Sequence, residues 1–158
     1  MSAVNAQYAE KTEMAVVYPV SHNGNFMGYQ KVLLPVSGKH KLQRAMLALE
    51  QALLVVRKDG EICIFHCMDD VQHCLSRQQA LPLLQRMQEA GVKCMMHIME
   101  GYAAIQIPRF AEENKYEVII MFAGERNELG KPTGKLVMGG ITERVFHATS
   151  IPLLLVRA

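Results

Sequence analysis

No part of this chain carries enough charge of one sign to advertise a charged partner. Its 17 Lys/Arg and 15 Asp/Glu residues are interleaved and leave a formal charge of +2. It has neither the basic stripe nor the aromatic platform that nucleic acid requires, so nucleic acid is excluded as an expected partner. Uninterrupted apolar runs stay short of the roughly 20 residues needed to span a bilayer. The N-terminus lacks a basic segment followed by an apolar core. The expectation is a cytoplasmic protein with no membrane insertion. Paired CxxC spacing is missing too: Cys63, Cys67, Cys74 and Cys94 do not form a zinc framework and would stay thiols in a reducing compartment. What the chain does have is apolar mass, 50% of 158 residues, enough for one domain with a substantial core and no room for a second.

The first dozen residues are small and polar without a sustained period, and read as a frayed leader. Met14 to Val20 reads as a short strand that Pro19 confines to a sheet edge. Residues 1–28 are therefore expected to form an N-terminal arm, partly disordered or an edge strand, ahead of one domain over 29–158. Tyr29 to Val36 is apolar without polar alternation, which a strand covered on both faces requires. Leu42, Ala45, Met46, Leu49, Leu53 and Val56 then recur at helical spacing as far as Gly60, where a glycine would stop the helix. Glu61 to Met68 is the next strand. Ser76 and Gln79 offer a capping box for a helix carrying Ala80, Leu83, Leu84 and Met87, with Gly91 at its end. Val92 to Met99, a helix from Ala103 to Asn114, and a strand from Glu117 to Phe122 repeat the unit. A last helix from about Gly140 to His147 and a last strand from Ile151 to Arg157 complete it. Five strands alternating with four helices predict a doubly wound α/β domain on a five-stranded parallel sheet.

The stretch with chemical potential lies late in the chain. Ile119 to Ala123 is apolar, Gly124, Gly130, Gly134, Gly139 and Gly140 punctuate the segment beyond it, and Ile141-Thr142-Glu143-Arg144-Val145 turns helical. A strand, a glycine loop and a helix start can aim backbone N–H groups and the positive end of a helix at a phosphate.

From Lys31 to Arg157 the chain resembles the universal stress protein family, as a UspA-like domain. The residues that carry the resemblance are Lys31-Val32-Leu33-Leu34-Pro35-Val36, Ile64-Phe65-His66-Cys67, Gly91-Val92, Gly101, and Gly139-Gly140-Ile141-Thr142-Glu143-Arg144-Val145 leading to Ile151-Pro152-Leu153-Leu154-Leu155-Val156-Arg157. The resemblance implies an adenine nucleotide alpha hydrolase-like fold and a homodimer joined through the last strand. It also implies ATP or another adenine nucleotide in the crevice at the carboxyl ends of the strands, with Mg²⁺ only alongside nucleotide. The nucleotide-binding subset resembles Gly-x2-Gly-x9-Gly-[Ser/Thr] with an Asp closing the first strand, and this sequence departs from it. Ser37 stands for the Asp. From Gly124 the second glycine is Asn127, eleven residues precede Gly139, and Gly140 takes the hydroxyl position; counted forward from the strand, Phe122 stands at the first glycine. Asn127 can keep the turn, since Asn enters the left-handed region readily, and Thr142 offers a hydroxyl. The expected site is thus Gly139, Gly140, Ile141 and Thr142 at the phosphate, Gly124 and Asn127 in the approaching loop, and Pro35, Val36, Ser37, Cys67 and Met121 around the base. Stress-response nucleotide binding without efficient turnover is the leading reading. The alternative is a dimeric interaction module, such as an accessory domain of a transporter, that binds no nucleotide.

Other candidates reduce to plain roles. Gly130 to Leu136 echoes a Walker A motif but has three residues between its glycines instead of four, and Leu136 follows Lys135. His66 and Cys67 alternate on a strand and cannot share one ion. Asp69 and Asp70 read as a solvated loop, and the methionines as gap-filling core. Ser37 and His40 lack an orienting acid and a nucleophile elbow. No metal site and no catalytic residue is expected.

Overall fold

The computed structural model describes residues 13–16, 28–38, 42–68, 74–126 and 132–157. Their elements are β1 (Glu13–Val16), β2 (Tyr29–Pro35), α1 (Leu42–Val55), β3 (Val56–Met68), α2 (Arg77–Glu89), β4 (Lys93–Glu100), α3 (Ala103–Glu113), β5 (Val118–Arg126), β6 (Pro132–Met138), α4 (Gly140–Ala148) and β7 (Leu153–Arg157). The five parallel strands run β4-β3-β2-β5-β7, with helices on both faces. Two antiparallel strands extend this sheet, β1 alongside β7 and β6 alongside β5.

The lack of polar alternation in the strands has its cause in two separate cores. Val32 and Leu34 of β2, Ile62 and Ile64 of β3, Ile120 and Phe122 of β5, and Leu154 and Val156 of β7 pack with α1 and α2. The intervening residues Leu33, Cys63, Phe65, Ile119, Met121, Leu153 and Leu155 pack with α3 and α4. Neighbours on a strand point to opposite faces, so a strand covered on both sides must be apolar throughout. Burying each such side chain is worth about 1.5–3 kcal/mol, which makes the five central strands the stable part of the domain.

The capping signal acts as read. Ser76 accepts from the Gln79 amide at 3.2 Å while the Gln79 side chain accepts from the Ser76 amide at 2.9 Å, closing the capping box. Pro82 and Pro108 both lie inside their helices, α2 and α3.

Other expectations are corrected. Gly60 stops no helix: α1 ends at Val55, and Gly60 lies within β3. There a Cβ would come 2.9 Å from the backbone oxygens of Tyr29 and Gln30, so close approach of β2 demands the glycine. The expected loop after β5 is instead a hairpin. β5 runs on through Gly124 to Arg126, and β6 returns antiparallel with Gly124 opposite Val137 and Ala123 opposite Met138. Gly134 therefore belongs to a strand, while Asn127, Gly130 and Lys131 lie outside the described residues. Pro19 also lies outside them, and the first strand ends at Val16.

The last strand, through which a homodimer is expected, is paired on both sides within the chain. β7 pairs with β5 on one side and β1 on the other, in the register Glu13 to Arg157 through Val16 to Leu154. Its outer edge is already paired within the chain, and a second copy cannot add there while β1 is in place.

Two measurements test these features. Gly60→Ala is expected to destabilise the domain by about 1–3 kcal/mol in urea unfolding, because a methyl group must force two backbones apart; unchanged stability would show the approach is not tight. Deleting residues 1–17 is expected to expose the β7 edge and to raise the sedimentation coefficient per chain through association of copies at that edge; an unchanged coefficient would show that β1 does not guard it.

Candidate functional site

β2 and β5 are hydrogen-bonded over only two rungs, Val32 to Val118 and Leu33 to Ile119. Beyond Leu33 and Ile119 the two strands run on to Pro35 and Arg126 without pairing. This is also where the chain reverses its winding, with α1 leaving to one face and α4 to the other, the position at which open α/β sheets place ligands. A cavity of about 180 Å³ lies there. It is lined by Pro35, Val36, Ser37, Phe65, Cys67, Ala103, Ile107, Met121, Phe122, Ile141 and Thr142.

Seven of the residues expected from the sequence, Pro35, Val36, Ser37, Cys67, Met121, Ile141 and Thr142, are brought together at this one cavity. Gly139 and Gly140 are not in its wall but form the start of α4, with Gly139 as N-cap. Gly124 is carried away in the β5–β6 hairpin. Phe65, Ala103, Ile107 and Phe122 were missed. Phe65 could have been inferred from Cys67, two places on and so on the same strand face. Ala103 and Ile107 are spaced as one helical stripe.

The lining polar groups are mostly engaged. The Thr142 hydroxyl donates to the Phe122 carbonyl at 3.1 Å, and the Cys67 thiol donates to the Gly101 carbonyl at 3.0 Å. The Val36 amide donates to the Phe65 carbonyl at 2.9 Å. His66, buried, fixes the other side of Val36: its Nδ1 lies 2.9 Å from the Val36 carbonyl oxygen, and the Leu75 amide donates to its Nε2 at 3.0 Å. An amide can only donate and a carbonyl can only accept, so the ring carries its proton on Nδ1. His66 is thereby a bridge between the end of β2 and the approach to α2, and no candidate metal ligand. Among the described residues no three His, Cys, Asp or Glu side chains gather into a metal-binding group.

Phe122 does not plug the cavity. Its side chain belongs to the core beneath α1, and the Arg44 guanidinium lies 4.7 Å from its ring centroid. On the opposite flank Arg144 of α4 donates to the Tyr102 hydroxyl at the start of α3 and sits over that ring, tying together the two helices that border the cavity. The thiols differ in character. Burial pushes the Cys63 thiol up, and burial together with the Cys63 contact pushes Tyr116 up as well, so both stay protonated and unreactive at neutral pH.

The start of α4 is the polar end of the site. The first amides of a helix have no intrahelical acceptor, which leaves those of Gly140, Ile141 and Thr142 to other partners. Gly139 has no side chain with which to cap them. Its φ of −65° does not require glycine. A Cβ built at either Gly139 or Gly140 would meet nothing within 4 Å, so packing does not require it either. Their effect is to leave the amides uncovered, beside a cavity, at the positive end of a nine-residue helix.

A parallel five-stranded α/β sheet with a cavity at its winding reversal and an uncapped glycine helix start beside it defines a class of crevice-binding doubly wound domains. Within that class, residues 28–157 match the model of the universal stress protein family, and the chain belongs to that family. A universal stress protein of Methanocaldococcus jannaschii is 24% identical over 160 residues, covering 90% of this chain and 89% of its own. A universal stress protein structure from Archaeoglobus fulgidus superposes with a TM-score of 0.62 at 16% identity, over 81% of this chain and 98% of that one. A universal stress protein solved in complex with cAMP gives 0.57 at 15% identity, over 81% and 96%.

His66→Leu is expected to cost about 1–3 kcal/mol in chemical denaturation, because it leaves the Val36 carbonyl and the Leu75 amide without partners. His66→Asn, which can still donate to Val36, should recover part of that loss. Equal stability of all three proteins would remove His66 from this role.

Proposed function

We propose that the protein is a nucleotide-responsive universal stress protein that holds an adenine nucleotide without efficient turnover. The observation that carries this reading is the opening of the β2–β5 ladder into a cavity that adjoins the uncapped glycine start of α4. The base lies among Pro35, Phe65, Met121 and Ile107, where the walls are largely apolar. The phosphates take the amides of Gly139, Gly140 and Ile141, and Thr142 stays bound to Phe122. A universal stress protein of the same fold has been solved in complex with cAMP, which supports a nucleotide as the ligand. Neither Asn127 nor Gly124 is needed for this arrangement. Mg²⁺ enters only with the phosphates. Thr142, Cys67 and His66 are engaged within the protein, and among the described residues no acid, base and nucleophile converge on the cavity, which supports the reading of binding without efficient turnover. The proposed location is the cytoplasm; among the described residues no helix is long and apolar enough to cross a membrane.

A second reading, an interaction module that binds no nucleotide, is favoured by the exposed Met95 and Ile98 on β4, which pairs only with β3.

Thermal denaturation separates the two. A ligand held by the native state at a hundred times its Kd adds roughly 2.7 kcal/mol, so millimolar ATP should raise the melting temperature by several degrees. Ala103→Phe, which fills the cavity, should abolish the rise. No rise with ATP, ADP, AMP or cAMP would leave only the interaction module.

A further inference from the structure

The sheet is finished differently at its two ends. On one side β1 covers β7, whereas β4 pairs only with β3, and its outer edge has no strand partner among the described residues. An uncovered edge is a row of main-chain donors and acceptors that a further strand can take up, and proteins usually guard it with a proline, a bulge or a charge in mid-strand. β4 has none of these. Lys93–Glu100 contains no proline, runs eight rungs beside β3 without a shift in register, and carries its Lys and its Glu only at its two end residues.

Between those ends the side chains are Cys, Met and Ile apart from His97, whose ring stacks on that of Phe110 with centroids 4.4 Å apart. The apolar exposure falls on both faces of the strand. Cys94 packs against the core beneath α1 and α2, and Met99 against the one beneath α3 and α4. Alternation then puts Ile98 on the side of Cys94 and Met95 on that of Met99. These two residues are 51% and 42% exposed.

We propose that the β4 edge is an interface between two copies of this chain, joined antiparallel about a two-fold axis so that one sheet continues into the other. The pairing rests on the interaction-module reading and is independent of nucleotide binding. Charge selects both the occupant and the direction. Lys93 opens the strand and Glu100 closes it, so an antiparallel second copy brings each Lys93 to the end where the other chain has Glu100, whereas parallel self-pairing would set like charges side by side. A two-fold axis normal to the sheet keeps each face continuous across the junction, so only residues of the same face lie opposite one another. With that axis at His97, Met95 meets Met99 of the second copy and Ile98 meets Met96, and each exposed apolar residue is covered by a methionine. Lys93 and Glu100 of the second copy then fall one residue apart at either end of the junction.

Sedimentation equilibrium of the full chain at micromolar concentrations tests the pairing, with Ile98→Lys, Lys93→Glu, Glu100→Lys and the double variant Lys93→Glu/Glu100→Lys beside the wild-type protein. All three positions are exposed, so the variants should keep the wild-type circular dichroism. The wild-type protein should dimerise, and Ile98→Lys should weaken the dimer about tenfold or more by burying an unpaired charge in the junction. Each single charge reversal sets like charges together at both ends and should weaken it about threefold to tenfold. The double variant should recover most of that loss, a result specific to self-pairing because only a second copy changes its charges in step. Amide exchange along β4 should also slow as the concentration of the wild-type protein is raised, a readout that needs no variant. A monomer at every concentration, a dimer indifferent to Ile98→Lys, or charge reversals that add without recovery would overturn the assignment. A monomeric chain that binds another protein through Ile98 would leave the interaction module standing and remove the second copy as its occupant.

Discussion

The separation of β2 from β5 after two rungs governs the rest of the candidate site. Parallel strands need their main-chain groups paired, and a ladder can stop early at the centre of a sheet only if other partners take those groups up. On its other side β2 stays bound to β3: the Val36 amide reaches the Phe65 carbonyl, and the Val36 carbonyl meets the His66 ring. β2 can then run on beside β3 without β5. The space that opens is bounded by apolar side chains from β3, β5, α3 and α4. The start of α4 borders this opening through Ile141 and Thr142.

The site divides into two kinds of surface. Around the cavity, side-chain polar groups are spent on the protein itself, Thr142 on Phe122 and Cys67 on Gly101. Such walls discriminate by shape and dispersion more than by hydrogen bonding. At the start of α4 the balance is reversed, with the amides after Gly139 left uncapped by any side chain. That division is what the proposed ligand, with an apolar ring and an anionic tail, would meet.

β1 changes how the sheet ends. An exposed β7 would offer a row of unpaired main-chain groups to another copy, and the strand Glu13–Val16 takes those positions within the chain. At the opposite end β4 remains an outer strand, with Met95 and Ile98 exposed. Edge chemistry therefore differs between the two sides of the domain.

Order and type of the parallel elements were legible because their causes are local or repetitive: the Ser76–Gln79 capping box, the helical spacing of Ala45 and Leu49, and strands apolar throughout because each faces two cores. Several residues of the cavity wall, Pro35, Ser37, Cys67 and Met121 among them, were legible through the family resemblance. The fate of the glycines was not. Gly60 and Gly124 read as breakers, yet they lie in strands, because a glycine's tolerance for close approach looks the same in sequence as its tolerance for a turn. Nor could spacing reveal that β1 would pair with β7, from the other end of the chain, or that Arg44 would end over the Phe122 ring. Sequence by itself determined which segments are strands and helices and which faces they bury; only the tertiary structure decided where the ladder opens and which strands close the sheet, because those depend on contacts between residues that have no local relation.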